Sequence, residues 1–218
     1  MPGLDALPHT LRPARGEAAG ALVLFHGRGT SEHDMAGLFD VLDPDGRFTC
    51  VAPRGPLQLP PGGFHWYVVE RVGFPDRDTF LGSFDRLAAW LDALAAETGI
   101  APEHTVLGGF SQGCVMAWAL TLGPGRPRPA GVLAMSGFMS TVDGFALAEE
   151  RLAGLPVAIA HGSQDPVIGI EFGRDARDRA QAAGAEVLYR ETPIPHTLDP
   201  RVLPELTAWV RERATGTP

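Results

Sequence analysis

One short stretch constrains this chain more than any other: Val106-Leu107-Gly108-Gly109-Phe110-Ser111-Gln112-Gly113-Cys114-Val115-Met116. An apolar run ends in glycine, a serine stands between two glycines, and an apolar helical pattern begins at once. Gly-x-Ser-x-Gly between a strand and a helix demands a very tight turn. The residue at the apex is forced into a strained backbone, and its side chain is pushed into the open. Gly109 and Gly113 are expected to be small because neighbouring chain comes too close for a Cβ. The amide of Gln112, in the first turn of the new helix, has no intrahelical partner and faces outward at the positive end of the helix dipole. The plainer reading is a glycine-rich strand-to-helix turn with an incidental serine. The rest of the chain decides between the two.

In chain order, residues 9–14 read as a short edge strand and residues 21–25 as a continuous apolar strand buried on both faces. Ser31 is placed to cap a helix with Glu32 and Asp34 in its first turn. Residues 48–52 form the next strand. A loop rich in Pro and Gly follows over 53–63, and then an irregular strand or hairpin arm over 64–70. The spacing of Phe80, Phe84, Leu87, Leu91 and Leu94 predicts a helix over 76–98 with one apolar stripe, stopped by Gly99. Further strands are expected at 105–108, 132–135, 156–160 and 186–190, and helices at 112–122, 145–152, 171–183 and 200–213. Strands alternating with helices mean parallel strands joined by right-handed crossovers, in an α/β sheet covered on both faces. No internal repeat or long linker divides the 218 residues, so a single domain over 1–218 is expected.

Composition removes several classes of function. The net charge of −8 and the lack of a basic cluster argue against a nucleic-acid surface. No apolar run approaches the ~18 residues of a membrane span, and the first residues do not resemble a signal peptide. All 18 basic residues are arginine, so chemistry on a lysine amine is excluded. Cys50 and Cys114 sit in apolar surroundings and read as buried small hydrophobes rather than a disulfide. The histidines and acids show no spacing such as His-x-x-x-His, so no metal site is expected.

A serine hydroxyl is a weak nucleophile at neutral pH and needs a base, which needs an orienting acid. Of seven histidines, His196 follows the last strand in a loop stiffened by Pro193 and Pro195. His161 ends a strand and reads as a buried ring bonded to backbone, and His26 as the brace of its own loop. Asp165 follows a strand end and precedes Pro166, so it is the acid chosen. Asp199, the rival, reads better as the cap of the last helix. The three polar motifs, at His26, Ser111 and Asp165, all lie beyond the carboxyl ends of strands, where α/β sheets gather their chemistry. The amides of Gln112 and Arg28 are the expected oxyanion donors. The Arg28 side chain reads most plainly as a surface charge and alternatively as a contact to an acidic substrate.

His26-Gly27-x-Gly29 with Asp34 downstream, Gly109-Phe110-Ser111-Gln112-Gly113, and His161-Gly162-x-x-Asp165-Pro166-Val167 together resemble the phospholipase/carboxylesterase family of α/β-hydrolases. The likeness runs from about residue 21 to 209. It implies the α/β-hydrolase fold, a Ser111–Asp165–His196 triad, oxyanion donors at Arg28 and Gln112, no cofactor, a small-molecule ester substrate and a cytoplasmic enzyme. It also leaves room for a homodimer. The chain departs from the family at Pro195, where many members place glycine before the catalytic histidine. Only 165 − 111 = 54 residues separate nucleophile from acid, which leaves no room for a large cap domain. The pocket should therefore be walled by the 53–76 loop, with Leu57, Leu59, Phe64, Trp66 and Phe74 as candidates. Trp66 also resembles the family's aromatic position beside the acyl pocket. The function expected is hydrolysis of short- to medium-chain carboxylic esters. A thioesterase or lysophospholipase on the same triad is the near alternative. A non-catalytic binding protein of the same fold, with a broken triad or a filled elbow pocket, is the remote one.

Overall fold

The computed structural model describes residues 3–140 and 142–213. The chain opens with an edge strand, β1 (His9–Arg12), and the fully buried β2 (Ala21–Phe25). Two short helices follow, α1 (Glu32–Ala36) and α2 (Phe39–Leu42). Ser31 caps the first, its hydroxyl accepting from the His33 amide. After β3 (Thr49–Pro53) come two small ribbons, β4 (Leu57–Gln58) with β5 (Phe64–His65), and β6 (Val69–Arg71) with β7 (Phe74–Pro75). The long helix α3 (Arg77–Thr98) starts at Asp76, whose carboxylate accepts from the Thr79 amide. It stops at Gly99, which takes the left-handed conformation (φ 71°) that glycine adopts without a Cβ clash. The second half runs β8 (Thr105–Phe110), α4 (Gln112–Leu122), β9 (Gly131–Met135), β10 (Pro156–Gly162), α5 (Ile170–Ala182), β11 (Glu186–Thr192) and α6 (Leu203–Arg213).

Seven strands form one sheet in the order β1-β3-β2-β8-β9-β10-β11, and only β1 pairs antiparallel. Alternation along the central strands divides the core. Leu22 and Leu24 of β2 pack with Met35, Phe39 and Trp209 on the α1 and α6 side. Val23 and Phe25 pack with Leu87, Val115 and Leu120 of α3 and α4 on the other side. Strands covered on both faces in this way carry apolar residues at every position, which is why β2 reads as an unbroken apolar run. Among the described residues, no helix is long and apolar enough to cross a membrane.

One expected helix is absent. Residues 145–148 form an irregular strap, and only Glu149–Leu152 turns, as a 3-10 helix. The Phe145 ring lies edge-on to Phe80 and Phe84, at 5.2 and 4.8 Å between centroids. The Ala148 amide donates to the Leu122 carbonyl at the end of α4. Tertiary packing of one aromatic ring thus overrides the local helical pattern.

Candidate active site

The loops that matter all leave the carboxyl ends of strands in the same sheet: His26–Gly29 after β2, Ser111 after β8, Asp165 after β10 and His196 after β11, with β9 between the two pairs. Ser111 has φ 55° and ψ −119°, a sparsely populated conformation that costs a non-glycine residue about 1–3 kcal/mol. The surroundings impose it. A Cβ on Gly109 would sit 2.3 Å from the Gly113 carbonyl carbon, and one on Gly113 would sit 1.9 Å from the Phe25 oxygen. Those are backbone atoms that cannot step aside, so glycine is required on both sides of the serine. Ser136, at the end of β9, is the other described non-glycine residue with positive φ (49°). Its neighbour Gly137 lies against Cys114 and the Ser111 carbonyl, where a Cβ would approach to within 2.5 Å.

The structure brings the three expected side chains together. His196 Nε2 lies 3.0 Å from Ser111 Oγ, and His196 Nδ1 lies 2.6 Å from Asp165 Oδ2. With the imidazole proton on Nδ1 and donated to the carboxylate, Nε2 is left to accept the serine hydroxyl proton. Asp165 is itself fixed: its Oδ1 accepts from the amides of Val167 (2.8 Å) and Ile168 (2.9 Å), and its side chain is fully buried. The His196 loop presses on the Asp165 loop at Gly162, where a Cβ would lie 2.3 Å from the Ile194 oxygen and 2.5 Å from that of Pro195. The Gln164 amide donates to the Ile194 carbonyl across this contact. Pro195 therefore sits in the loop without separating His196 from its partners.

The rivals for these roles are engaged elsewhere. Asp199 is paired with the Arg201 guanidinium and accepts the Arg201 amide, which holds its carboxyl down at about 2. His161 is buried and bonded through Nε2 to the Ile168 carbonyl (2.9 Å), with Asp165 Oδ2 at 3.5 Å. His26 Nε2 accepts from the Gly55 amide at 2.8 Å, so its proton is on Nδ1, donated to the Gly27 carbonyl. Burial pushes this ring below the usual imidazole value. Both cysteines are free and buried, and burial pushes each thiol up to about 12.

A cleft of about 420 Å³ opens beside Ser111 and His196, with Arg28 and Gln112 among its lining residues. Among the described residues, the amides of Arg28 and Gln112 donate to no other group of the chain. The Gln112 side chain pins the nearby wall: its Oε1 accepts from the Trp66 amide (3.1 Å), and its Nε2 donates to the Tyr67 carbonyl (2.9 Å).

The walls differ from those expected. Trp66 is fully buried, with its indole N–H donating to the His26 carbonyl at 2.8 Å and its ring against His26 and Phe25. It wedges the loop after β2 from behind instead of lining the cleft, because a ring this large finds more apolar contact under the loop than at its surface. Leu57 and Phe64 belong to the outer ribbon, where Phe64 lies under the Arg54 guanidinium. Phe74 is exposed and carries the Arg71 guanidinium on its face. The cleft is lined instead by Tyr67, Val69, Arg71, Val72, Phe138 and Ile168, among others. Sequence offered one hint at most, the apolar Val167-Ile168 pair directly after the Asp165-Pro166 turn. A second cavity of about 240 Å³ lies on another side of His196, against Phe110 and Leu198.

A family model described as Phospholipase/Carboxylesterase matches residues 9–212. The chain belongs to this family. It is 29% identical to acyl-protein thioesterase 1 of Kluyveromyces lactis, over 73% of this chain and 75% of that protein. It is 26% identical to mouse lysophospholipase-like protein 1, covering 99% and 96% of the two chains. Among solved structures, esterase PE8 superposes with a TM-score of 0.79 at 28% identity, covering 94% of this chain and 98% of that one. The Bacillus cereus carboxylesterase shares the fold, with a TM-score of 0.83 at 22% identity over 95% and 94% of the chains. The α/β-hydrolase fold is therefore that of a family of hydrolases with esterase and thioesterase members.

Proposed function

We propose that this family member is a serine carboxylesterase acting through an acyl-enzyme. The observation that carries the reading is the unbroken chain of short contacts from Ser111 through His196 to Asp165. His196 Nε2 takes the hydroxyl proton as Ser111 Oγ attacks the ester carbonyl. The amides of Arg28 and Gln112 receive the developing oxyanion at the positive end of α4. When the intermediate collapses, the C–O bond to the alcohol breaks, and His196 returns the proton to the leaving oxygen. Water then gives a proton to His196 and attacks the acyl-enzyme. The carboxylic acid departs as Ser111 regains its proton. Asp165 stays ionised throughout, holding the imidazole in the working tautomer and stabilising the imidazolium.

The cleft volume falls within the usual range for small-molecule sites, and its apolar walls suit an acyl chain of short to medium length. A thioester is the second reading, favoured by the relatives named as acyl-protein thioesterases, and the same triad would serve it. The test is kcat/KM for p-nitrophenyl esters and matched thioesters from acetyl to palmitoyl, kept below their micelle concentrations. A carboxylesterase shows its maximum on oxygen esters of short to medium chain. A preference for thioesters, or for chains of twelve carbons and more, would replace it with the second reading.

A further inference from the structure

Two arginines, Arg28 and Arg71, are among the residues that line the cleft beside Ser111, and none of its lining residues is a carboxylate. This is a local reversal of sign in a chain of net charge −8. Most other arginines are neutralised by a neighbour, as Arg54 is by Glu32, Arg179 by Glu149 and Arg190 by Glu205. Among the described residues, neither Arg28 nor Arg71 has an ion-pair partner. Arg71 is nevertheless held in place: its guanidinium lies 3.5 Å over the exposed Phe74 ring. Stacking uses the face of the group and leaves its in-plane N–H donors free for an oxyanion. Arg28 stands in the loop after β2, immediately beside the proposed oxyanion hole. The same lining includes the apolar side chains of Val69, Val72 and Phe138.

Resting on the esterase reading above, we propose that the natural ester carries an anionic group, a carboxylate or a phosphate, bound by the Arg28 and Arg71 guanidinium groups. The apolar residues take up the carbon chain between that group and the scissile carbonyl. Both arginines are exposed in the free protein, and an ester anion seated between them would form charge-assisted hydrogen bonds, which are stronger than neutral ones. Bonds of this kind correspond to about tenfold to a hundredfold in kcat/KM.

The experiment compares charged esters with neutral esters of equal length. One arm uses the p-nitrophenyl hemiester of glutaric acid against p-nitrophenyl pentanoate and places the charge on the acyl side. The others use the butyryl esters of 3-hydroxypropanoate and of 3-hydroxypropyl phosphate against butyl butyrate, followed by pH-stat. They place a carboxylate or a phosphate on the alcohol side. In wild type at low salt, at least one charged ester should exceed its neutral match by about tenfold or more. That ratio should shrink as sodium chloride is raised toward 1 M, and fall toward one in Arg28→Gln/Arg71→Gln, whatever the variant does to the neutral rate. The salt titration needs no variant and stands if the double substitution fails to fold. Neutral esters hydrolysed with every charged ratio at or below one would overturn the anionic subsite and leave the esterase reading intact. No turnover of any ester would remove both.

Discussion

Replacing Gly162 by alanine should uncouple the base from the nucleophile while leaving the fold in place. The Gly162 backbone lies outside the left-handed region, so alanine meets no dihedral penalty of its own and the cost is one of contact. The new Cβ would lie 2.3 Å from the Ile194 oxygen and 2.5 Å from the Pro195 oxygen. Both carbonyls are held, the first by the Gln164 amide at 3.1 Å and the second by the Thr197 amide at 2.8 Å. Relief to an ordinary contact of 3.4 Å requires 3.4 − 2.3 = 1.1 Å of movement between the two loops. His196 is the next residue, and its Nε2 stands only 3.0 Å from Ser111 Oγ. A displacement of that size in a catalytic constellation costs about 10²-fold, and overpacking costs about 1–3 kcal/mol of stability. The assay is kcat and KM on p-nitrophenyl butyrate, with urea denaturation to establish that the variant is folded. The loss should fall on kcat with KM nearly unchanged. A folded variant with kcat within about threefold of wild type would refute the argument that this contact positions the base.

Other substitutions separate scaffold from site. Gly82→Ala lies in the exposed interior of α3 with nothing near its Cβ; it should raise stability by about 0.5–1 kcal/mol in urea denaturation and leave kcat alone, and a lowered midpoint would contradict this. Trp66→Ala should cost about 3–5 kcal/mol by the same measurement without moving the acyl-chain optimum; a longer optimum at near-native stability would return the ring to the pocket. Burial lowers His26 below 6.5, so the unfolded chain binds its proton more readily than the folded one. Its contribution to stability is complete above about pH 6.5 and is lost as the pH falls below that value. Unfolding free energies at pH 7.5 and pH 5 should therefore differ more for wild type than for His26→Gln, and equal losses would remove His26 as the acid-sensitive brace of the loop after β2.

Features fixed by local sequence were readable directly. β2 is an unbroken apolar run, α3 has a capping aspartate and a terminal glycine, and the elbow glycines follow from sterics at one turn. The contacts of Ser111, His196 and Asp165 were legible because each residue is tied to a strand end by its own short motif. The cleft was not. Its walls come from ribbons only two or three residues long, where no periodicity reports which side faces inward. Trp66 and Phe74 illustrate this: one lies under the loop after β2 with a hydrogen bond to the His26 carbonyl, the other lies outside beneath Arg71. The 145–152 strap departs from its local helical pattern for a related reason, since Phe145 packs on two rings of α3 that lie about sixty residues earlier in the chain. Ser136, strained beside the elbow, has no sequence signal at all.

The most direct test of the account is to trap the acyl group. Wild-type protein and Ser111→Ala are mixed with p-nitrophenyl acetate, quenched in acid within the first turnover, digested, and mapped by mass spectrometry. Wild type should carry one acetyl group on the peptide that contains Ser111. Ser111→Ala should carry none there and lose nearly all turnover, keeping only the roughly 10³-fold over water that an oxyanion hole and binding supply. An acetyl group on another residue, or turnover by Ser111→Ala within about tenfold of wild type, would contradict the assignment of Ser111 as nucleophile.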